Sequence, residues 1–221
     1  MESPIERYFP ELPEAARDRL GAFETRFRSW NARVNLVSRK DMEAFVLHHL
    51  VHSLVLTKWL QVPAECRLLD VGTGGGLPGL PLAIAWPQAR LFLCDSIGKK
   101  ARAVEDMVRG LGLRNAVVVH KRAETLESKW DYILGRAVAS LPRFLGWIRD
   151  NLRSGSTGSL ANGVLYWKGS LYKDELEPLG IAPDAVFPIG EAVPEPYFQD
   201  KYIIHLSRET VLRARLAEPE P

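Results

Sequence analysis

Five glycines fall within eight positions, Gly72-Thr73-Gly74-Gly75-Gly76-Leu77-Pro78-Gly79, directly after the apolar run Arg67 to Val71. Glycine inside a helix or strand costs roughly 0.5–1 kcal/mol relative to alanine, so this stretch reads as a loop. The run before it reads as a strand and Leu80 to Trp86 as a helix. The loop therefore joins the carboxyl end of a strand to a helix N-terminus. There the missing Cβ atoms and freely adopted positive φ angles let backbone N–H groups approach a ligand.

The texture around the loop extends this reading. Short apolar runs at Ala89 to Cys94, Ala116 to His120, Tyr132 to Leu134 and Gly163 to Trp167 alternate with helix-like stretches. Strands of about five residues alternating with helices of ten or more imply βαβ units and a mostly parallel sheet. Ala185 to Ile189 and Tyr202 to Leu206 have no long helix between them and are expected to pair as an antiparallel edge. Ahead of the sheet, Leu12, Ala16, Leu20, Phe23, Phe27 and Trp30 recur every three or four residues, as one buried helix face requires. A second periodic run, Phe45 to Leu60, follows Asp41, a candidate N-cap. The expected layout is a helical extension over residues 1–62, an α/β domain over 63–215 and a frayed tail over 216–221.

Composition narrows the class. The chain has 221 residues, 46% apolar and 25% charged, an ordinary globular balance without low-complexity tracts. It has no apolar run long enough to span a membrane, and its N-terminus is too acidic for a signal peptide, so a cytoplasmic protein is expected. Cys66 and Cys94 lie beside apolar runs and read as buried free thiols. The net charge of +2 conceals an asymmetry: Ile97 to Lys173 holds 14 basic and 6 acidic residues, while Asp174 to Asp200 holds 7 acidic and no basic ones. Such a distribution points to a polyanionic partner on the basic part, with the acidic segment turned away from it.

Asp95 ends the second strand about 20 residues after the glycines, where a carboxylate commonly takes the ribose hydroxyls of an adenosine. Two nucleoside cofactors fit. Gly74-x-Gly76-x-x-Gly79 satisfies the dinucleotide fingerprint of a nicotinamide oxidoreductase. Against it, Asp70 stands two positions before the first glycine, and Pro78 and Pro81 remove N–H donors where a pyrophosphate would bind. S-adenosylmethionine has no phosphate and needs only a backbone loop, a ribose carboxylate and an adenine slot. A binding module that keeps the fold without catalysis is a third possibility, and a methyltransferase acting on another substrate a fourth.

Asn31-x-x-x-Asn35-Leu36, His49-x-x-x-Ser53-Leu54, the loop from Asp70 to Gly79, Asp95-Ser96-Ile97-Gly98-Lys99-Lys100, Leu111 to Asn115, Arg122-Ala123-Glu124, Arg136-Ala137 and Lys168-Gly169 occur in that order. Together they resemble the bacterial small-subunit ribosomal RNA guanine-N7 methyltransferases, also called glucose-inhibited division protein B. The resemblance implies a class I S-adenosylmethionine-dependent methyltransferase, Rossmann-like, with a mostly parallel sheet, an antiparallel C-terminal edge and an N-terminal helical extension. It implies cofactor contacts at Gly72, Gly74, Leu77, Asp95, Ser96, Ala123, Glu124 and Arg136, with S-adenosylhomocysteine as product. The sequence departs from the family pattern at His52, Gly135 and Trp167, where Asp, Ser and Leu are common.

The implied reaction is attack by a guanine N7 lone pair on the sulfonium methyl. N7 carries no proton, so no general base is required. Arg136 is expected to position the guanine through O6 or a phosphate and to leave N7 free; the bland alternative pairs it with Asp70 or Glu124. The expected partner is small-subunit ribosomal RNA or the assembling subunit, bound by a monomer. The candidate RNA contacts are Lys99, Lys100, Arg102, Lys121, Arg122, Arg143 and Lys168, with Arg109, Arg149 and Arg153 as further basic positions. No metal is expected: His48 and His52 share a helix face but lack an acidic or thiol partner nearby. Trp30, Trp59, Trp86 and Trp147 are read as core, and Tyr197 and Phe198 as loop packing.

Overall fold

The computed structural model describes residues 2–216. Seven strands form one sheet in the order β3-β2-β1-β4-β5-β7-β6. They are β1 (Arg67–Val71), β2 (Arg90–Cys94), β3 (Ala116–Val119), β4 (Tyr132–Arg136), β5 (Gly163–Gly169), β6 (Ala185–Pro188) and β7 (Lys201–Ser207). β1 to β5 pair in parallel, while β7 runs antiparallel to both β5 and β6. Strand order reverses beside β1, which lies between β2 and β4, and open α/β sheets bind ligands at the carboxyl ends there.

Side chains alternate across the sheet as the pleat requires. On one face Leu68, Leu91 and Leu93 join a core with Leu20, Phe23 and Phe27 of α2 (Glu14–Asn31), with Phe45 to Leu60, and with Leu80 to Ile84 of α4 (Gly79–Ala85). On the other, Leu69, Val71 and Ile133 pack against Leu141, Phe144, Leu145 and Ile148 of α6 (Leu141–Ile148). The first 60 residues thus share their core with the sheet. The short α1 (Pro4–Tyr8) is tied to the far end of the chain, where Tyr8 donates 2.5 Å to Glu195.

The run after Asp41 departs from the expected regular helix. It winds as a π-helix over Val46–Val51, one α turn, α3, over His52–Leu54, and a 3₁₀ turn over Val55–Lys58. Asp41 does not cap it; it sits in a preceding 3₁₀ turn and meets His48 Nδ1 at 3.4 Å. Helix α5 (Gly98–Gly110) packs against β3 and α2. The remaining helices, α7 (Tyr172–Leu176), α8 (Ile189–Ala192) and α9 (Arg208–Arg213), are single turns or little more. Of the expected frayed tail, Leu216 packs against the second core, and 217–221 lie outside the described residues.

Candidate active site

Two buried carboxylates shape the glycine loop. Asp70 Oδ2 accepts from the Thr73 hydroxyl at 2.6 Å and the Gly79 N–H at 2.9 Å, folding the loop back onto the strand that launches it. Asp95, at the end of β2, accepts from Gly74 N–H at 2.9 Å and Ile97 N–H at 2.8 Å, tying the loop to the neighbouring strand. Gly72, Gly74 and Gly76 all have positive φ. At Gly72 a Cβ would also run into the Val138 side chain, and at Gly75 into the Phe27 ring. Asp70 Oδ1 has no partner and the residue is 1% exposed; burial pushes its pKa up to about 6 against the pull of its donors and of Arg136.

Two clefts open at this loop. The first, about 310 Å³, is lined among others by Asp95, Ser96, Ala123, Glu124, Arg143 and Trp147. The second, about 280 Å³, is lined by Leu36, His49, Gly74, Leu77, Arg136 and Tyr197 with their neighbours. Gly72, Lys100 and Ala137 border both. Ala137 has φ +53°, a left-handed turn directly after Arg136 that carries the chain sharply away from the end of β4.

Arg136 pairs with neither Asp70 nor Glu124. Glu124 meets Arg122 at 3.5 Å, whereas the Arg136 guanidinium reaches the 46–58 helix: Nη2 lies 3.3 Å from His49 Nδ1, and Nη1 3.5 Å from Ser53 Oγ. Burial lowers the Arg136 pKa to about 10, leaving it charged at neutral pH. His49 is held down to about 4, by burial first and the Arg136 charge second, and the buried His52 well below its ordinary value for the same two reasons. The pocket wall is therefore neutral imidazole around one guanidinium.

Of the three expected departures, His52 and Trp167 adjoin this wall, while Gly135 faces the core on the other side of the sheet. Trp167 Nε1 donates 2.8 Å to the His52 carbonyl. Gly135 is hemmed in by Tyr166 and Phe144, so an added Cβ has no room there.

The basic residues separate by place. Lys100, Lys121, Arg122 and Arg143 line the first cleft. Lys99 and Arg102 are exposed on α5 outside it, and Arg109 lies in the last turn of that helix. Lys168 does not join them: it is 12% exposed and its ammonium bonds Glu175 at 2.6 Å. Arg149 and Arg153 share no helix face, because α6 ends at Ile148. Arg153 pairs with Asp131, which precedes β4 at the amino ends of the strands, opposite the site, and Arg149 bonds the Leu212 carbonyl.

The acidic segment is not turned away from the site. Its Tyr197 lines the second cleft, stacked on His48 with ring centroids 3.6 Å apart and capped by the Lys201 ammonium 4.0 Å from its ring. Phe198 is core, as is Trp86, but Trp147 lines the first cleft and Trp30 and Trp59 are half-buried. Burial holds the Cys66 and Cys94 thiols up at about 12. Among the described residues no group of three His, Cys, Asp or Glu side chains converges as a metal site, and no helix is long and apolar enough to cross a membrane.

This sheet order, with a glycine loop after β1 and a carboxylate after β2, is the class I methyltransferase fold, which takes a nucleoside cofactor at the carboxyl ends of its strands. The fold is similar to an S-adenosylmethionine-dependent methyltransferase from Aquifex aeolicus (TM-score 0.54, 14% identity, covering 73% of this chain and 91% of that one). It is also similar to Aeropyrum pernix fibrillarin in complex with S-adenosylmethionine (TM-score 0.50, 16% identity, 70% and 73% covered). Residues 17–183 match the family described as rRNA small subunit methyltransferase G. Proteins of that name from Christiangramia forsetii and Bacteroides thetaiotaomicron are 37% and 34% identical, each over 91% of this chain and over 95% and 97% of their own lengths. The chain belongs to the rRNA small subunit methyltransferase G family. Membership decides between the two nucleoside cofactors in favour of S-adenosylmethionine. The residues present fit that cofactor: loop backbone at Gly72, Gly74 and Leu77 and the carboxylates Asp95 and Glu124 border the two joined clefts, a set that suits a cationic nucleoside without phosphates.

Proposed function

We propose that this protein is a cytoplasmic monomer that transfers the methyl group of S-adenosylmethionine to N7 of a guanine in small-subunit ribosomal RNA. The observation that carries the proposal is the pair of clefts meeting at Gly72, Lys100 and Ala137: one offers Asp95, Ser96 and Ala123 to a nucleoside, the other brings the loop residues Gly74 and Leu77 to the same space as a guanidinium that can meet a nucleobase. When bound, the cofactor supplies an electrophilic methyl on a sulfonium. The chain's own contribution is positioning, which can lower a barrier by several kcal/mol when reacting atoms are held about 3–3.5 Å apart.

Gly72, Gly74 and Leu77 form the backbone cradle, Asp95 and Ser96 face the ribose, and Ala123 and Glu124 the adenine. Arg136 orients the guanine through O6 or a phosphate; a bidentate grip on O6 and N7 would block the nucleophile. No side chain has to remove a proton, in keeping with histidines held neutral by burial. Because the major groove of A-form RNA is too narrow for side chains to read, the target guanine lies in a loop, bulge or distorted junction. Lys99, Lys100, Arg102, Lys121, Arg122 and Arg143 hold the flanking phosphates.

The test is methylation of small-subunit RNA, free and in the assembling particle, with the modified atom mapped by mass spectrometry of nuclease digests. One 7-methylguanine at a single position is expected. Methyl on another atom, or none on either substrate, refutes the proposal.

A further inference from the structure

The hydrogen-bond polarity around Arg136 is fixed by chemistry. A guanidinium has five N–H donors and no acceptor, so the imidazole nitrogen facing it, His49 Nδ1 at 3.3 Å, must present a lone pair. In neutral imidazole the proton then sits on Nε2. Ser53 completes the set: its hydroxyl donates 2.6 Å to the His49 carbonyl, which leaves an oxygen lone pair for Arg136 Nη1 at 3.5 Å. His49 is 8% exposed, its Nε2 has no partner, and its ring packs 5.4 Å from Phe45 in the core shared with the sheet. Its ring is backed by Phe45 on the core side and borders the second cleft on the other.

The π-helix matters here. A π turn carries an extra residue, and such turns are frequent at functional sites. Across this one, His48 turns to stack on Tyr197, His49 and Ser53 face Arg136, and the next carbonyl wall, at His52, is anchored by Trp167.

We infer that His49 is a positioning residue, whose neutral Nδ1 lone pair, with Ser53, clamps one side of the Arg136 guanidinium so that its remaining N–H groups face the second cleft. A protonated His49 would place two cations in contact and release the clamp. The inference deepens the proposed function and rests on it, since the clamp acts on the group that orients the guanine.

The discriminating variants are His49→Asn and His49→Gln. An asparagine carbonyl stands close to where Nδ1 stood, whereas a glutamine amide reaches towards the Nε2 position. Steady-state methylation of small-subunit RNA is measured for both and for His49→Ala, with cofactor affinity by calorimetry and thermal stability alongside. The expected results are a loss of roughly 10- to 100-fold in kcat/KM for RNA in His49→Ala and His49→Gln, the range of one hydrogen bond to a charged group. Substantial recovery is expected in His49→Asn, and in every variant the loss falls on kcat/KM for RNA more than on cofactor affinity, because His49 bonds Arg136 and not the loop. Arg136→Lys should cost less in the His49→Ala background than in wild type, the non-additivity of residues acting as a unit. Equal activity of the Asn and Gln variants, or losses that follow thermal stability alone, overturn the inference and leave the proposed function standing. A wild-type protein that methylates no RNA overturns the proposed function itself.

Discussion

Replacing Asp70 with asparagine should make the protein more stable as it becomes a poorer enzyme. In the folded chain Asp70 holds its proton up to about 6, against 3.8 for an ordinary aspartate, chiefly because burial disfavours the charged form. The sign follows from linkage. The folded state binds this proton more tightly than the unfolded chain, so the group's contribution to stability is greatest below about pH 4. It is lost as pH rises from about 4 to 6 and stays lost above that. The gap between the two values, at 1.36 kcal/mol per pH unit, corresponds to about 3 kcal/mol.

Asparagine resembles the protonated side chain permanently. Its amide oxygen can take both bonds now made to Oδ2, from Thr73 and Gly79, and its NH₂ occupies the place of the unpartnered Oδ1. At pH 4 the variant and wild type should therefore be nearly equal, and by pH 8 the variant should lead by up to about 3 kcal/mol. The assay is urea unfolding of both proteins at intervals from pH 4 to 8, where other titrating groups cancel in the difference. With slopes of about 1–3 kcal/mol/M, the midpoint should shift by about 1 M or more at pH 8. A difference that stays flat across this range would refute the assignment of the buried charge to Asp70. Methyl transfer by the variant should fall, because the Asp70 charge is the largest attraction acting on the Arg136 guanidinium and its loss loosens that side chain's placement.

Three further outcomes follow from the same geometry. Gly72→Ala should abolish measurable cofactor binding by calorimetry without unfolding the sheet, since the residue combines φ +67° with contact against Val138, a strain of about 1–3 kcal/mol. Trp167→Phe keeps the ring but strands the buried His52 carbonyl, so it should lower unfolding free energy by about 1–3 kcal/mol in denaturant titrations. Reversing charge at Lys121 and Arg122 should weaken RNA binding and flatten its log–log salt dependence by roughly 0.7–0.9 per lost phosphate contact. The same change at Arg149, which bonds the Leu212 carbonyl, should leave the salt slope as it was.

The sheet and its cofactor loop were legible because their signals are local. A glycine cluster, two aspartates at strand ends and short apolar runs are set by backbone geometry, and all five parallel strands formed where expected. What lay hidden depends on contacts between distant segments. Periodicity puts His48 and His52 on one face and both do meet Tyr197, but spacing alone does not show that Tyr197 covers that face or that His49 and Ser53 meet Arg136. Charge counts do not see partners, so Lys168 and Arg153 read as free cations although Glu175 and Asp131 neutralise them. Tyr197 lies in an acidic, proline-rich loop, and nothing local ties it to His48. The motif His49-x-x-x-Ser53 was the one available hint, since its spacing already places both side chains on one side of a helix.

The bond between Tyr8 and Glu195 joins residues 187 positions apart. With His48 against Tyr197 and His52 against Trp167, it means that the wall of the second cleft is closed by the first and last parts of the chain. During synthesis the apolar faces of α2 and the following helix emerge before any strand exists to cover them, and the cleft stays open until the final hairpin pairs with β5. Long-range closure of this kind is slow relative to helix formation. A chain that has not yet made β7 therefore has both walls of the first cleft but not the finished wall of the second.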